Sequence, residues 1–293
     1  MSVLKPLIIK EFDHQEDHFR INYVQRNGRS DSCDYHFHDN YELYYLLAGQ
    51  RKYFIRDRIH LVQKGDMVFI PKHDLHRTRD AGPYHERMLI YFDDAFLETI
   101  AGPGNQISPH LLQPFRNNNP VLRLQKEDRR FVDVLFYRIL KELEEKPVDY
   151  QLYLKALFIE LLVYVSRCTE KYVEVEVNAP LDTPTQKKIS EIANYIQENY
   201  EKSLTLAYLS KQFYISTYYL SRVFKEVSGF SFVEYLNNVR IIESQRLLRE
   251  TNLPIFQISE QVGFVNTTNF GRVFKQVVHL SPLQYRRMQQ ATN

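Results

Sequence analysis

The sequence has few of the residues that mark disulfide-rich, flexible or membrane-spanning proteins. Only two of its 293 residues are cysteine, Cys33 and Cys168, and they lie so far apart that no disulfide framework is predicted. Nine glycines and twelve prolines are too few for a long flexible tract. No window approaches the roughly 18 uncharged apolar residues that a membrane span needs. We therefore expect a soluble, cytoplasmic protein with no membrane partner.

Charge of one sign is also scarce, because 38 Lys and Arg residues face 36 Asp and Glu residues, a net charge of +2. The distribution is less even than the total. Residues after Pro184 include 13 Lys and Arg against 8 Asp and Glu, a net +5, whereas the rest has 25 against 28, a net −3. A chain of this length predicts two domains, and a basic C-terminal domain favours a polyanionic partner. Ordinary surface charge is the alternative at this point.

Short strands are predicted between about residues 7 and 93. The segments FRINYV, YELYYLL, RKYFIR, IHLV, DMVFIP and ERMLIYF are rich in β-branched and aromatic residues and are separated by Gly or Asp. Such spacing predicts an antiparallel sandwich or barrel. Strand signals stop after Asp93, and a loop rich in Gly, Pro and Asn is predicted over roughly 101 to 120.

The period of the apolar residues then changes to that of a helix. Val132, Leu135, Phe136, Ile139, Leu140 and Leu143 form one apolar stripe that ends before Pro147, and Leu154, Leu157, Phe158, Leu161 and Val165 form a second. These accessory helices, at about 126–170, are expected to pack outside the barrel or to carry a homodimer contact. The predicted divisions are an N-terminal domain over 1–172, a linker over 173–184 and an all-α domain over 185–293.

The C-terminal domain contains an internal sequence repeat. The tetrapeptide RVFK begins at Arg222 and again at Arg272, and the downstream Ser231 and Tyr235 recur fifty residues later as Ser281 and Tyr285. Upstream, Leu209-Ser210-Lys211-Gln212 matches Ile258-Ser259-Glu260-Gln261 with an offset one residue shorter. This agreement is beyond chance and describes one supersecondary unit used twice.

Each copy predicts a short helix, a tight turn and a second helix, which is the helix-turn-helix arrangement. Thr205, Ser216 and Asn266 are placed as N-caps and Pro254 at a first helical position. Apolar stripes would bury one face of each second helix. The other face would present Tyr218, Ser221, Arg222 and Lys225 in the first copy, and Thr268, Asn269, Arg272 and Lys275 in the second. Arg can bind guanine edges, Asn adenine edges and Lys phosphates, so these eight residues are predicted to bind DNA.

Residues 185 to 290 resemble the DNA-binding domain of the AraC/XylS family of bacterial transcription regulators. The resemblance is carried by YLSRVFK, Gly229-Phe230, EYLNNVR, Leu247-Leu248, ISEQVGF, FGRVFK and SPLQYR. It implies that Tyr218, Ser221, Arg222, Thr268, Asn269 and Arg272 contact bases. The sequence departs from the family pattern at Ser210 and Ser259, where Ala is usual, and at His279, where Gly is usual. Gly271 is expected to weaken the second helix of the second helix-turn-helix copy, because glycine is unfavourable inside a helix.

A further cluster lies upstream in YHFHDNYELYYLLAG. This part of the chain resembles the two motifs of cupin barrels. The first motif is carried by His36, His38 and Glu42, and the second by Gly65, Pro71 and His76. Three imidazoles and one carboxylate would suit a divalent ion such as Fe, Mn, Ni or Zn. The resemblance to sensor domains implies instead an effector-binding barrel without a required cofactor, in which the same residues bond sugar hydroxyls and Tyr44, Tyr53 and Phe69 act as stacking walls.

The fold class predicted from these patterns is α+β and multidomain: an antiparallel, cupin-like N-terminal barrel with accessory helices and a helical domain with two helix-turn-helix units. The predicted function is a non-enzymatic transcription regulator that senses a small molecule, such as a sugar, and binds double-stranded promoter DNA. A homodimer and RNA polymerase complete the expected partners. The alternative is a metal-dependent cupin enzyme with an appended DNA-binding module.

Overall fold

The computed structural model describes residues 7–28, 38–102, 107–172 and 183–291. The chain forms two compact units: the first spans Met1–Ile55 and His60–Leu181, and the second spans Asp182–Asn293 together with the short segment Arg56–Ile59. Cys33 lies outside the described residues, and Cys168 is a buried free thiol. Within the described ranges, no helix combines the length and the apolar character that crossing a bilayer requires.

Among the described residues, seven strands form one antiparallel sheet. They are β1 (Leu7–Glu16), β2 (Phe19–Asn27), β3 (Tyr41–Ile55), β4 (Arg58–Gln63), β5 (Asp66–Ile70), β6 (His76–Phe92) and β7 (Val121–Arg123). Their order is β1-β2-β6-β3-β5-β7, with β4 paired to β3. No pairing among the described strands joins β1 to β7, so the sheet is open and the predicted closed barrel is corrected.

The strands differ from the predicted segments in several places. β1 is not among the predicted segments, and β6 begins at His76, well before ERMLIYF. YELYYLL and RKYFI belong to the single strand β3, which pairs with β6 through register shifts at Leu46/Ala48 and Gly49/Arg51. Irregular pairing of this kind lets one long strand bend without ending. β7 was not predicted, since three residues carry too little alternation to identify a strand.

The two faces of the sheet bury different clusters. Side chains alternate across a strand, so Leu43, Tyr45 and Ile90 lie on one face and pack with the helices that follow the sheet. Tyr44, Leu46 and Tyr53 lie on the other face with Ile55 and Val68. We call this second side the inner face.

In the described part of the first unit, four α-helices come after β6. They are α1 (Asp94–Ala101), α2 (Gln113–Arg116), α3 (Lys126–Glu145) and α4 (Tyr150–Tyr172), with a 3₁₀ turn at Pro109–Leu112. The two predicted accessory helices are confirmed as α3 and α4, whose apolar stripes join the core beside Leu43 and Tyr45. The loop predicted over 101 to 120 is wrong in part, because its second half holds the 3₁₀ turn and α2.

The described residues 183–291 of the second unit form helices joined by short turns. Its helices are α5 (Pro184–Glu198), α6 (Leu206–Gln212), α7 (Thr217–Ser228), α8 (Phe232–Glu250), α9 (Ile255–Gln261), α10 (Thr267–Val278) and α11 (Pro282–Ala291). Residues 173–182 of the predicted linker lie outside the described residues. Its last two residues belong to the start of α5, because Thr183 caps α5 in a capping box with Gln186 and Pro184 is the first residue of that helix. The N-caps Thr205, Ser216 and Asn266 are confirmed. Pro254 is the N-cap of α9 and not its first residue.

The sequence repeat is also a repeat of packing. Phe224 of α7 contacts Tyr235 at a ring separation of 5.4 Å, and Phe274 of α10 contacts Tyr285 at 5.7 Å, both edge to face. Ser231 begins α8 in a capping box with Glu234. Ser281 bonds Gln284 in the same manner before α11, through Gln284 N to Ser281 Oγ at 3.3 Å and Ser281 N to Gln284 Oε1 at 2.9 Å.

Candidate functional site

The second unit exposes the same face of α7 and of α10. Leu220, Val223 and Phe224 are buried, as are Phe270, Val273 and Phe274. The helical period then directs the intervening positions outward. All eight residues predicted to bind DNA are exposed: Tyr218, Ser221, Arg222, Lys225, Thr268, Asn269, Arg272 and Lys275. We call the two groups of four the first and second exposed faces.

The two arginines at matching positions have different partners. Arg222 Nη1 donates to Glu226 Oε1 at 2.9 Å, and Arg222 Cζ lies 5.8 Å from the ring centre of Tyr219. Arg272 Nη2 donates to Asn269 Oδ1 at 3.0 Å. Position 276 is Gln where the first copy has Glu226, so the second exposed face lacks the local carboxylate. Its cationic charge is therefore less compensated than that of the first.

Arg240 of α8 fixes the turn between α9 and α10. Its guanidinium is buried and donates to Tyr200 O at 2.8 Å and Lys202 O at 2.9 Å, and it lies 5.5 Å from the centre of the Phe264 ring. Burial lowers the pKa of this guanidinium. Gly263 has φ +89, and a Cβ there would lie 2.6 Å from Glu201 O and 2.9 Å from Arg240 Nη2. Glycine is required at this position both by conformation and by space.

In the first unit, the inner face brings together His38, Glu42 and His76. His38 Nε2 lies 3.1 Å from Glu42 Oε2, and His76 Nε2 lies 3.4 Å from the same oxygen. The other nitrogens donate to the backbone, His38 Nδ1 to Asn40 O and His76 Nδ1 to Asp74 O, each at 2.8 Å. Within this His–Glu cluster, Glu42 and His76 are 2% exposed and are shielded from water, whereas His38 is partly exposed.

The electrostatics of the His–Glu cluster are those of a buried ion pair. Burial alone would raise the pKa of Glu42, but the charge of His76 and hydrogen bonds from both imidazoles hold it well below its usual range. For His76, burial opposes protonation, and the Glu42 carboxylate outweighs it and raises the pKa. The carboxylate is therefore ionised, and it needs a cation beside it.

An open cleft of about 360 Å³ adjoins the cluster at His38. Its polar lining includes Gln15, His18, Arg20, Asn40 and Tyr91. Tyr91 lies directly opposite both Glu42 and Arg20 in the strand register, and its ring meets His38 edge to face at 5.3 Å. Sequence reasoning missed Arg20 and Tyr91. Alternation in FRINYV would have indicated Arg20, because Phe19, Ile21 and Tyr23 take the opposite face.

The remaining predicted effector residues are placed differently. His36 lies outside the described residues. Tyr44 and Tyr53 reach the inner face, but both are 1% exposed and pack edge to face with each other at 5.0 Å, so neither presents an open ring. Phe69 pairs with Leu43, lies on the opposite face and contacts Phe115 at 5.2 Å. The placement of Phe69 beside the cluster is therefore corrected, because alternation separates it from Glu42.

Two family models match the chain. The AraC-like ligand binding domain matches residues 14–162, just over half of the chain, and the helix-turn-helix domain matches residues 209–288. The chain belongs to the AraC/XylS family. The match in the second unit spans both exposed faces, and the match in the first unit spans the His–Glu cluster and the cleft.

Similar proteins include an uncharacterized HTH-type transcriptional regulator, YisR of Bacillus subtilis. It is 38% identical over 98 residues, which are 33% of this chain and 34% of YisR. The HTH-type transcriptional activator RhaR of Mannheimia succiniciproducens is 22% identical over 265 residues, 90% of each chain. Among solved structures, the C-terminal domain of AraT, a response regulator from Geobacillus stearothermophilus, is 34% identical with a TM-score of 0.34, covering 37% of this chain and 88% of that one.

The aligned part of the chain spans about a third of the length of the first two curated relatives, 34% and 36%.

The structure shows where the departures from the AraC/XylS pattern lie. His279 ends α10 with φ 63, where Gly229 ends α7 with φ 87. Ser259 is fully buried, whereas Ser210 accepts a hydrogen bond from Thr217 Oγ1 at 3.1 Å.

Proposed function

We propose that this protein is a transcription regulator that binds promoter DNA sequence-specifically through its second unit and a small-molecule effector through its first. The observation that carries the proposal is the pair of exposed faces, which present Arg and Lys at the same two positions of two helices with matching packing. Cationic side chains repeated on matching helices suit the regular spacing of DNA phosphates.

Each helix pair, α6–α7 and α9–α10, is proposed to act as a helix-turn-helix unit. The N-terminal half of α7 and of α10 would enter the major groove, so that Arg222 and Arg272 reach base edges and Lys225 and Lys275 reach phosphates. Consecutive major-groove segments on one face of DNA are about 34 Å apart, and α8 is the continuous element that joins the two pairs. The operator would then contain two short elements about one helical turn apart.

The effector is proposed to bind in the cleft beside His38. Hydrogen-bonding side chains line it, including Arg20, His18 and Asn40, and this lining suits a sugar or a related hydroxylated metabolite. Such a molecule regulates DNA binding only when it prefers one conformation of the protein energetically. The function requires no catalytic step, and we propose that the protein is not an enzyme.

A homodimer is proposed through the outer side of α3 and α4. Val134 and Tyr137 of α3 are 57% and 67% exposed, and Leu152 of α4 is 70% exposed. Exposed apolar side chains on neighbouring helices suit a symmetric contact between two copies. Promoter DNA and RNA polymerase are the further proposed partners. Because both are found in the bacterial cytoplasm, we propose that the protein acts there.

Selection from fragmented genomic DNA tests this function and identifies the operator in the same experiment. Full-length protein should enrich a few promoter fragments, and hydroxyl-radical footprints on them should show protected segments about one helical turn apart. Enrichment that is uniform across the genome would contradict sequence-specific binding. A single protected segment would contradict the use of both helix pairs.

A further inference from the structure

Arg222 of the first exposed face is held between a carboxylate and an aromatic ring. Its Nη1 atom donates to Glu226 Oε1 at 2.9 Å, and its Cζ atom lies 5.8 Å from the centre of the Tyr219 ring. Helical geometry places Glu226 about 40° and Tyr219 about 60° around the axis of α7 from Arg222, both in the same direction. The two partners therefore restrain the guanidinium from the same edge of the helix.

The ion pair with Glu226 leaves most donors of the guanidinium available. A guanidinium has five N–H donors in a planar fork. The hydrogen bond to Glu226 uses Nη1 and leaves the Nε and Nη2 donors of Arg222 for another acceptor. Two such donors match the O6 and N7 acceptors on the major-groove edge of a guanine. The ion pair is therefore compatible with recognition of a base.

The same ion pair weakens the attraction between Arg222 and DNA phosphates. Phosphate contacts depend on the charge that the protein brings to the backbone and on the counterions that this charge releases. The side chain of Glu226 is 56% exposed and lies beside the guanidinium, so its carboxylate offsets that charge. A guanine edge carries no net charge, so its directed hydrogen bonds to Arg222 lose less. Glu226 thereby distinguishes a base contact from a phosphate contact.

At the matching position the second exposed face has an amide. Gln276 stands fifty residues after Glu226, and Arg272 Nη2 donates to the neutral side chain of Asn269 at 3.0 Å. The charge of Arg272 is therefore offset by neither of these side chains. The two faces share their packing but differ in charge at this position, so they should contribute differently to DNA binding.

We propose that Glu226 is a specificity-determining residue of the first helix pair. Its carboxylate suppresses binding of Arg222 to the phosphates of non-operator DNA and leaves the arginine able to read a guanine. The second helix pair, which has Gln276 at this position, then supplies more of the salt-dependent affinity. This inference rests on the proposed function as a sequence-specific DNA-binding protein.

Salt titrations of Glu226→Gln on two duplexes test the inference. One duplex carries the operator recovered by genomic selection, and the other carries a scrambled sequence of the same length. Glutamine keeps the size of the side chain and an acceptor for Arg222 but removes the charge. On the scrambled duplex, the plot of log association constant against log salt concentration should steepen by about 0.9, the value for one added phosphate contact. Operator affinity should rise less, so the ratio of operator to scrambled affinity should fall.

The reciprocal substitution and a matched control complete the test. Gln276→Glu should make the slope on the scrambled duplex shallower by about 0.9 and should raise the affinity ratio. Glu250→Gln is the control, because Glu250 forms an ion pair of the same i,i+4 spacing with Arg246 on α8, outside both exposed faces. Its slope and affinity ratio should equal those of the wild type.

Two results would overturn the inference and leave the proposed function standing. The first is a wild type that prefers the operator together with a Glu226→Gln variant that keeps the wild-type slope and affinity ratio. The second is an equal change in Glu250→Gln, because net charge alone would then explain the effect. Equal affinity of the wild type for both duplexes would contradict the proposed function itself, and the inference with it.

Discussion

Tyr214 and Gly263 occupy the same position in the two turns that join α6 to α7 and α9 to α10, and both have a positive φ, 55° and 89°. The first turn therefore adopts the left-handed conformation without a glycine. The tyrosine side chain is 94% exposed, so packing does not repay the cost of this conformation. A left-handed residue other than glycine costs roughly 1–2 kcal/mol.

Tyr214→Gly should therefore stabilise the helical unit by about 1 kcal/mol, because it removes a left-handed side chain and almost no buried surface. Urea unfolding of the full chain, with hydrogen exchange of the α6 and α7 amides as the readout, measures the change. Tyr218→Gly is the control, since Tyr218 is 79% exposed but lies inside α7. Glycine should destabilise that position, and a gain in stability there would refute the conformational explanation.

His279→Gly should stabilise the end of α10 by a similar amount, about 1 kcal/mol. His279 is the left-handed C-cap with φ 63, and its N–H already donates to Lys275 O. The same measurement on the α10 amides detects the gain. Gly229→His at the matching C-cap of α7 is the reverse substitution and should lose stability. Equal effects of the two substitutions would show that the cap conformation does not govern stability.

Gly271→Ala should stabilise α10 by about 0.5–1 kcal/mol, because glycine is unfavourable inside a helix. A Cβ at this position would meet nothing within 4 Å, so no clash offsets the gain. Thermal unfolding of the full chain would report a higher transition for the helical unit. Gly263→Ala is the matched control and should destabilise, since its Cβ would lie 2.6 Å from Glu201 O. A loss of stability in Gly271→Ala would contradict the open surroundings of that residue.

Ser259→Ala should stabilise the helical unit by about 1 kcal/mol or more, because the buried Ser259 Oγ has no hydrogen-bond partner among the described residues. Ser210→Ala at the matching position should give no such gain, since it removes the acceptor of the Thr217 hydroxyl. Differential scanning calorimetry of both variants measures the contrast. Equal effects of the two substitutions would mean that Ser259 finds a partner in solution.

The second unit was largely predictable because its signals are local. Capping residues and the stripe around Leu220, Val223 and Phe224 each lie within a few helical turns, and the fifty-residue repeat shows the same local pattern twice. The helices begin close to the predicted positions. Tyr214 was not predicted to take a left-handed conformation, because nothing in the residue type signals it. Only the geometry of the repeated turn, set by neighbouring helices, imposes that φ.

The first unit was less predictable because its arrangement depends on contacts distant in sequence. His38, Glu42 and His76 do come together, but His38 precedes β3, so strand alternation does not account for its position. Strand alternation also did not show that the sheet is open. Phe69 lies on the face opposite Glu42, because the β3–β5 register pairs Phe69 with Leu43. The alternation within either strand does not reveal this register. Arg20 and Tyr91 join the cleft only through the β2–β6 pairing.

Operator binding by Arg222→Ala and Arg272→Ala tests the central claim most directly. On a fragment recovered by genomic selection, each substitution should cost about 1–3 kcal/mol of binding free energy and should relax sequence preference in one protected segment only. Arg246→Ala is the control, because Arg246 is an exposed arginine of α8 held by Glu243 and Glu250. It should bind the operator like the wild type. An operator affinity unchanged by both Arg222→Ala and Arg272→Ala would contradict the assignment of α7 and α10 as the helices that read DNA.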